Sequence, residues 1–234
     1  MDAPTTGLRE TLFPKRGFSA TEILLAANLL VAAILFAAWG REYVPNLRQW
    51  TSEWWHAVRV DGAYGWFLPT LFLHIGPGHL ASNTTSLLAA AGAVEFLAGG
   101  PWTIVAYFVT GLGAAWVSYA GHGAPPLSVG ASGAIFGLLG CAVAFIVRRR
   151  HMFNYAKRWK VWRVYIPLFI LFFVPAMANA DVHAHVGGFA CGLLLGLFLP
   201  PHPRIAYLGA IDALIDEASE EAGETPDQPE PPRL

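Results

Sequence analysis

Apolar residues gather along the chain into six runs, each near the roughly 20 residues that cross a bilayer as a helix. They cover residues 21–39, 79–97, 102–120, 132–147, 161–179 and 184–199. The fourth and sixth are about 16 residues long, too short to reach both surfaces, so their ends are expected below the membrane surface, enclosed by longer neighbours. The pattern predicts an all-α bundle of six membrane-spanning helices over residues 21–200. Between the first two runs, residues 40–78 carry Trp50, Trp54, Trp55, Tyr64 and Trp66 among moderate charges. That mixture suits a loop lying in the membrane interface rather than crossing it. A short segment, 1–20, precedes the bundle. After it, residues 201–234 end in EASEEAGETPDQPEPPRL, which cannot bury a core and is expected to be a disordered tail. No internal repeat is visible.

Composition supports a membrane protein: 55% of the 234 residues are hydrophobic and 13% are charged, about half the charged share of a soluble protein. The first run is long enough to span, so it is expected to anchor rather than to be removed as a signal peptide. The formal net charge of -1 conceals an asymmetry. Eight of the sixteen acids lie between Asp212 and Glu230, and residues 1–200 carry thirteen basic against eight acidic side chains. Seven of those basic residues fall in 148–163, between the fourth and fifth runs, and Arg9, Lys15 and Arg16 precede the first. Lysine and arginine near span ends stay in the cytoplasm, so both clusters, and both termini, are expected there. The interfacial loop 40–78 then lies on the opposite side. Cys141 and Cys191 sit inside apolar runs and read as small buried residues rather than a disulfide. Nothing points to nucleic acid.

With that topology, Ser132, His185, His79 and Asn83 all fall just inside the non-cytoplasmic face. Polar side chains at membrane depth normally face a cavity or one another, so four converging from three spans indicate a wet pocket. Gly133 and Gly137 lie four apart on the fourth run, and Gly188, Gly192 and Gly196 repeat every four on the sixth. Small-residue ridges let helix backbones approach closely in lipid, and His185 shares a face with Gly188 three residues on. If the ridges touch, an imidazole meets a serine hydroxyl. That pairing is the usual way to make serine a nucleophile, with the neutral histidine as base. The start of the Ser132 helix offers unpaired N–H groups for a developing oxyanion, and His79 and Asn83 could add side-chain donors.

Blander readings compete. Serine is an ordinary packing residue at membrane helix contacts, and His79 and Asn83 could simply bond neighbouring helices. A soluble hydrolase elbow, G-x-S-x-G, does not fit, because Ala134 stands two after Ser132. His183 with His185 is a thin metal set without a nearby cysteine or second histidine cluster, so neither a metal nor a cofactor is expected. Asp181 could orient His185 as a third catalytic member, although capping the following helix is the commoner use. Glu95 reads as a buried structural acceptor. His56, His74 and His122 receive no role.

The ordered set HIGPGHLASN (His74, His79, Asn83), GAVEFLAG around Glu95, GASG around Ser132 and DVHAHVGGFACG around His185 resembles the rhomboid intramembrane serine proteases, from about Trp66 to Leu199. The resemblance implies a six-helix bundle with a Ser132–His185 dyad. It also implies an oxyanion hole of His79, Asn83 and the Ser132 N–H, and a mobile helix, the fifth span, gating lateral entry. Implied substrates are single-span membrane proteins, cut near the outer end of a helix that unwinds easily. The orientation read from the basic segments opens the site to the non-cytoplasmic side and fits a bacterial plasma membrane. Two departures stand out. Family members commonly carry Trp-Arg in the first loop, where Trp66 is followed here by Phe67; many also carry a tyrosine four after the serine, where Phe136 stands here. The rival readings are a rhomboid-like protein that binds membrane clients without cutting them, and a channel or transporter, whose polar residues would run through the full depth.

Overall fold

A computed structural model describes residues 19–122, 129–149, 152, 181–203 and 205. Every regular element among the described residues is a helix. The expected fifth span with its gate, most of the basic segment, the N-terminal segment before residue 19 and the acidic tail from 206 lie outside them.

Helix α1, Ala20–Trp39, begins at a capping box in which Ser19 Oγ accepts from the Glu22 N–H and Glu22 accepts from the Ser19 N–H. It stops at Gly40, whose φ of 51° L-residues rarely adopt. After one 3-10 turn the chain re-enters a helix, α2, Tyr43–Asp61. The segment expected to be an interfacial loop is therefore largely helical. Its buried residues, Tyr43, Leu47, Thr51, Trp54 and Val58, fall three and four apart on one face, as a helix with one wet side requires. Alternation of apolar and polar residues over this stretch was obscured by its tryptophans, which lie on both faces. A 3-10 turn, Tyr64–Trp66, and the single-turn α3, Phe67–Thr70, lead to α4, Pro77–Ala98. Only Gly99 separates α4 from α5, Gly100–Gly121. Helices α6, Ser132–Arg148, and α7, Val182–Gly196, complete the described elements.

Five of the six apolar runs thus coincide with helices. By length and composition alone, the apolar first helix and α5 are long enough to cross a membrane. Helix α4 has the length but spends His79, Ser82, Asn83, Thr84, Thr85 and Ser86 on its early turns. Helices α6 and α7 are short, as their runs predicted.

The packing sorts these ends into two groups. At one end, Glu95 accepts from the N–H groups of Ala20 and Thr21, both at 2.9 Å, and from Thr21 Oγ1 at 2.5 Å. It caps α1 from across the bundle, the acceptor role its position suggested, although the side chain is half-buried rather than buried. At this same end Arg149 donates to the Leu199 carbonyl, and the His202 N–H donates to the Leu97 carbonyl at 2.8 Å. The opposite end gathers His74, His79, Gly130, Ser132, Asp181 and His185. Between the two, the interior is small and partly polar: Asn28, Thr103, Thr110 and Ser118 are buried. Asn28 donates to Tyr107 Oη at 3.2 Å, and Tyr107 in turn to the Leu71 carbonyl at 3.0 Å. Large apolar side chains such as Leu30, Leu88, Leu194 and Phe198 face outward, the last 77% exposed. Outward leucine and inward threonine is the arrangement lipid favours, where helix contact rests on close packing and hydrogen bonds.

The glycine ridges meet, although not symmetrically. On α7, a side chain at Gly188 would strike the Gly133 carbonyl, at Gly192 the Gly137 carbonyl, and at Gly196 the Cys141 carbonyl. Those on α6 mostly serve α5 instead: Gly133 faces Ala114 and Gly137 faces Thr110. Gly140, which the four-residue spacing did not single out, is the α6 glycine that faces α7, against Phe189 and Leu193. Helix α6 is consequently held from two sides by bare backbone. Cys141 and Cys191 are unpaired thiols.

Candidate active site

Ser132 is the first residue of α6, so its hydroxyl stands where the helix leaves its early N–H groups without intrahelical partners. Gly130, two residues earlier, has φ of 120°, a conformation closed to side chains with a Cβ. Its N–H donates to the Thr70 carbonyl at 2.8 Å, which ties the turn to α3. His185 lies in the first turn of α7, 3% exposed. The close α6–α7 contact leaves Ser132 Oγ and His185 Nε2 3.0 Å apart, within the reach a proton transfer needs. Phe136, one turn after Ser132, stacks on the His185 ring at 4.0 Å with 12° between planes. The departure from tyrosine therefore retains the stacking surface that fixes the imidazole.

His79 and Asn83, one turn apart on α4, are also brought to this place. Asn83 Nδ2 and His79 Nε2 are 3.1 Å apart, and an amide nitrogen donating one proton there keeps a second for another acceptor. A methyl at Gly130 would lie 2.8 Å from the His79 ring and 3.0 Å from Asn83 Nδ2. Both side chains thus abut the turn that presents Ser132, on the side of α4.

Asp181 is the N-cap of α7, accepting from the Ala184 N–H at 3.0 Å. It also accepts from the Ser118 hydroxyl. Capping is the use its position favoured. His183 does not act with His185: its ring packs edge-on against His122, 4.6 Å between centroids, on the α5 side of α7. Here three residues, His122, Asp181 and His183, offer ligand atoms within 4.8 Å of one another. The sequence concealed the grouping because His122 lies 59 positions before Asp181.

His74, given no role from the sequence, is fully buried behind His79, with 5.3 Å between the rings. Tyr43 Oη donates to its backbone carbonyl, and its Nδ1 lies 3.2 Å from the Phe72 carbonyl. Burial, with the His79 ring nearby, pushes its imidazole from 6.5 down to about 4. The signal available was its place at the head of HIGPGHLASN. Aromatic packing anchors the first loop: Trp66 stacks on Trp54 at 5.4 Å, and Phe67 packs on Trp116 and Tyr119. No arginine follows Trp66, but Arg59 of α2 lies over the Trp55 and Tyr119 rings and donates to the His122 carbonyl at 2.7 Å.

Comparison with known proteins gives the family. The Rhomboid domain family matches residues 52–202, more than half of the chain. Rhomboid protease GluP of Bacillus subtilis is 33% identical over 141 residues, covering 60% of this chain and 25% of that protein. Two Arabidopsis thaliana proteins are also similar. RHOMBOID-like protein 5 is 31% identical over 59% of this chain and 45% of its own length, and RHOMBOID-like protein 4 is 33% identical over 64% and 38%. The chain spans less than half the length of these relatives, and the family match contains every residue of the candidate site. With a matching domain, an all-helical fold and an apolar exterior, the chain belongs to the rhomboid family and is an integral membrane protein.

Proposed function

We propose that this chain is an intramembrane serine endopeptidase in which Ser132 is the nucleophile and His185 the general base. The family is of intramembrane protease type, and the observation that carries the reading for this chain is the 3.0 Å approach of Ser132 Oγ to His185 Nε2. With the Nε2 lone pair facing the hydroxyl, His185 takes the serine proton as Oγ attacks the scissile carbonyl carbon. The carbonyl oxygen gains the charge, which the Ser132 N–H and the second Asn83 amide proton receive, while His79, taking the first amide proton on Nε2, holds that amide in position. The protonated imidazole then gives its proton to the departing amide nitrogen, leaving an ester on Ser132, and water activated by the same base hydrolyses that ester.

Substrates in this reading are single-span membrane proteins. Hydrolysis needs water that the bilayer excludes, so the dyad works in a pit open to one aqueous face. Backbone carbonyls of an intact helix are occupied, so a substrate helix must unwind before it can be attacked. The apolar runs with their basic flanks support six spans, both termini in the cytoplasm and the Ser132 end on the non-cytoplasmic side, an orientation that fits a bacterial plasma membrane. Ser132, His185, His79 and Asn83 gather at this one end, which favours a protease over a channel.

The test is cleavage of a labelled single-span substrate by the detergent-purified protein, native against Ser132→Ala, with fluorophosphonate labelling alongside. Loss of both signals in the variant is expected. Cleavage that persists without Ser132 rejects the assignment. Native protein that binds the substrate but neither cuts it nor labels supports a client-binding member instead.

A further inference from the structure

We propose that His122, Asp181 and His183 form a binding site for a Zn2+-type transition-metal ion, bridging the end of α5 to the start of α7. Two histidines and a carboxylate are a donor set suited to zinc, with the fourth position left to water. Their ligand atoms already lie within 4.8 Å of one another. Tetrahedral ligands at zinc distances are about 3.4 Å apart, so closure needs side-chain movement on the order of 1 Å, and exposed His183 is the member able to make it.

Two independent features suggest a built site rather than a chance grouping. The first is the outer shell, which one buried residue supplies. The Ser118 carbonyl lies 2.9 Å from His122 Nδ1, and the Ser118 hydroxyl donates to Asp181 Oδ2. A histidine that gives one ring proton to a carbonyl turns its other nitrogen outward with a lone pair, the arrangement that orients metal-binding imidazoles. The second is Gly121, where any side chain would overlap the His183 ring. Bare backbone at that position admits the imidazole beside His122. Arg59, donating to the His122 carbonyl at 2.7 Å, is the nearby opposing charge and tempers the affinity. An occupied site would hold the first turn of α7, and with it the element that carries His185, against α5.

The experiment titrates Zn2+ into the full chain, purified in detergent without a histidine tag and stripped with chelator, by calorimetry and by thermal melting. Native protein and Ser132→Ala are expected to bind one saturable Zn2+ alike and to melt higher with it. His183→Ala and Gly121→Ala, one removing a ligand and one displacing it, are expected to weaken binding about tenfold or more and to lose the melting shift. Binding is read directly, so it does not depend on whether the chain cuts anything. Absence of saturable Zn2+ on the folded native protein, or equal affinity and stoichiometry in His183→Ala, overturns the proposal.

Discussion

Replacing Gly192 with alanine tests whether α7 must lie directly on α6 for the proposed dyad to form. An alanine Cβ there would sit 2.7 Å from the Gly137 carbonyl carbon and 2.9 Å from its Cα. Ordinary contact begins near 3.4 Å, and the obstruction is backbone, which no rotamer change relieves. The two helices must separate by roughly 1 Å, at an overpacking cost of about 1–3 kcal/mol. Carried two turns along α7 to His185, that separation opens the 3.0 Å contact with Ser132 to roughly 4 Å, past hydrogen-bond reach. Misplacement of this size costs about a hundredfold in rate. The assay is kcat/KM on a labelled single-span substrate in proteoliposomes, with the rate of fluorophosphonate labelling as a substrate-independent reading of the dyad. Leu194→Ala, on the outward face at 66% exposure, is the control and should leave both rates unchanged. If Gly192→Ala cleaves, labels and melts like the native chain, the glycine contact does not set the dyad.

Three further outcomes are expected. Phe136→Ala removes the ring stacked on His185 and should lower kcat and labelling about fivefold, on the scale of a lost aromatic pair of ~1 kcal/mol, whereas Phe136→Tyr should retain both; an unchanged alanine variant would show that the stack positions nothing. Glu95→Gln withdraws the carboxylate that caps α1 and should lower thermal stability by about 1–3 kcal/mol, so equal melting would remove Glu95 as a support. The His74 imidazole, lowered by burial from 6.5 to about 4, binds its proton more readily unfolded. It therefore contributes stability above pH 6.5 that is lost as pH falls towards 4, up to about 3 kcal/mol. His74→Gln should flatten that part of the stability profile relative to native protein, and an identical acid slope would refute the assignment.

Hydropathy made the spans legible because lipid-facing helices must be apolar whatever they pack against, and the runs beginning near Thr21 and Trp102 needed no tertiary information. The Ser132–His185 approach was legible for a different reason: glycine at every fourth position has few uses in a membrane helix besides close contact. Other features depend on the third dimension. Gly133 and Gly137 meet the α7 ridge with their carbonyls but turn their missing side chains to α5, because a helix enclosed on two sides needs small residues on both and spacing cannot say which neighbour each serves. The helix α2 was hidden by tryptophans that fill its outer face as readily as its inner one. His122 and His183 could not be paired, since nothing near either residue signals the other.

The two halves of the candidate site rest on different supports, and this explains why so few charged residues are needed at depth. Ser132 and His185 are set by backbone contact between α6 and α7, which uses no polar group. His79 and Asn83 are set by α4, with His74 packed behind them and Gly130 in front, and the Gly130 N–H to Thr70 bond joins that side to the serine turn. Among the described residues, the polar side chains at the site are held by packing, by backbone and by neutral hydrogen bonds to one another rather than by a buried ion pair, whose desolvation within a bilayer would cost more than its attraction returns. Asp181, the nearest acid in sequence, caps α7 at its start, and the stacked Phe136 ring packs the imidazole from the α6 side.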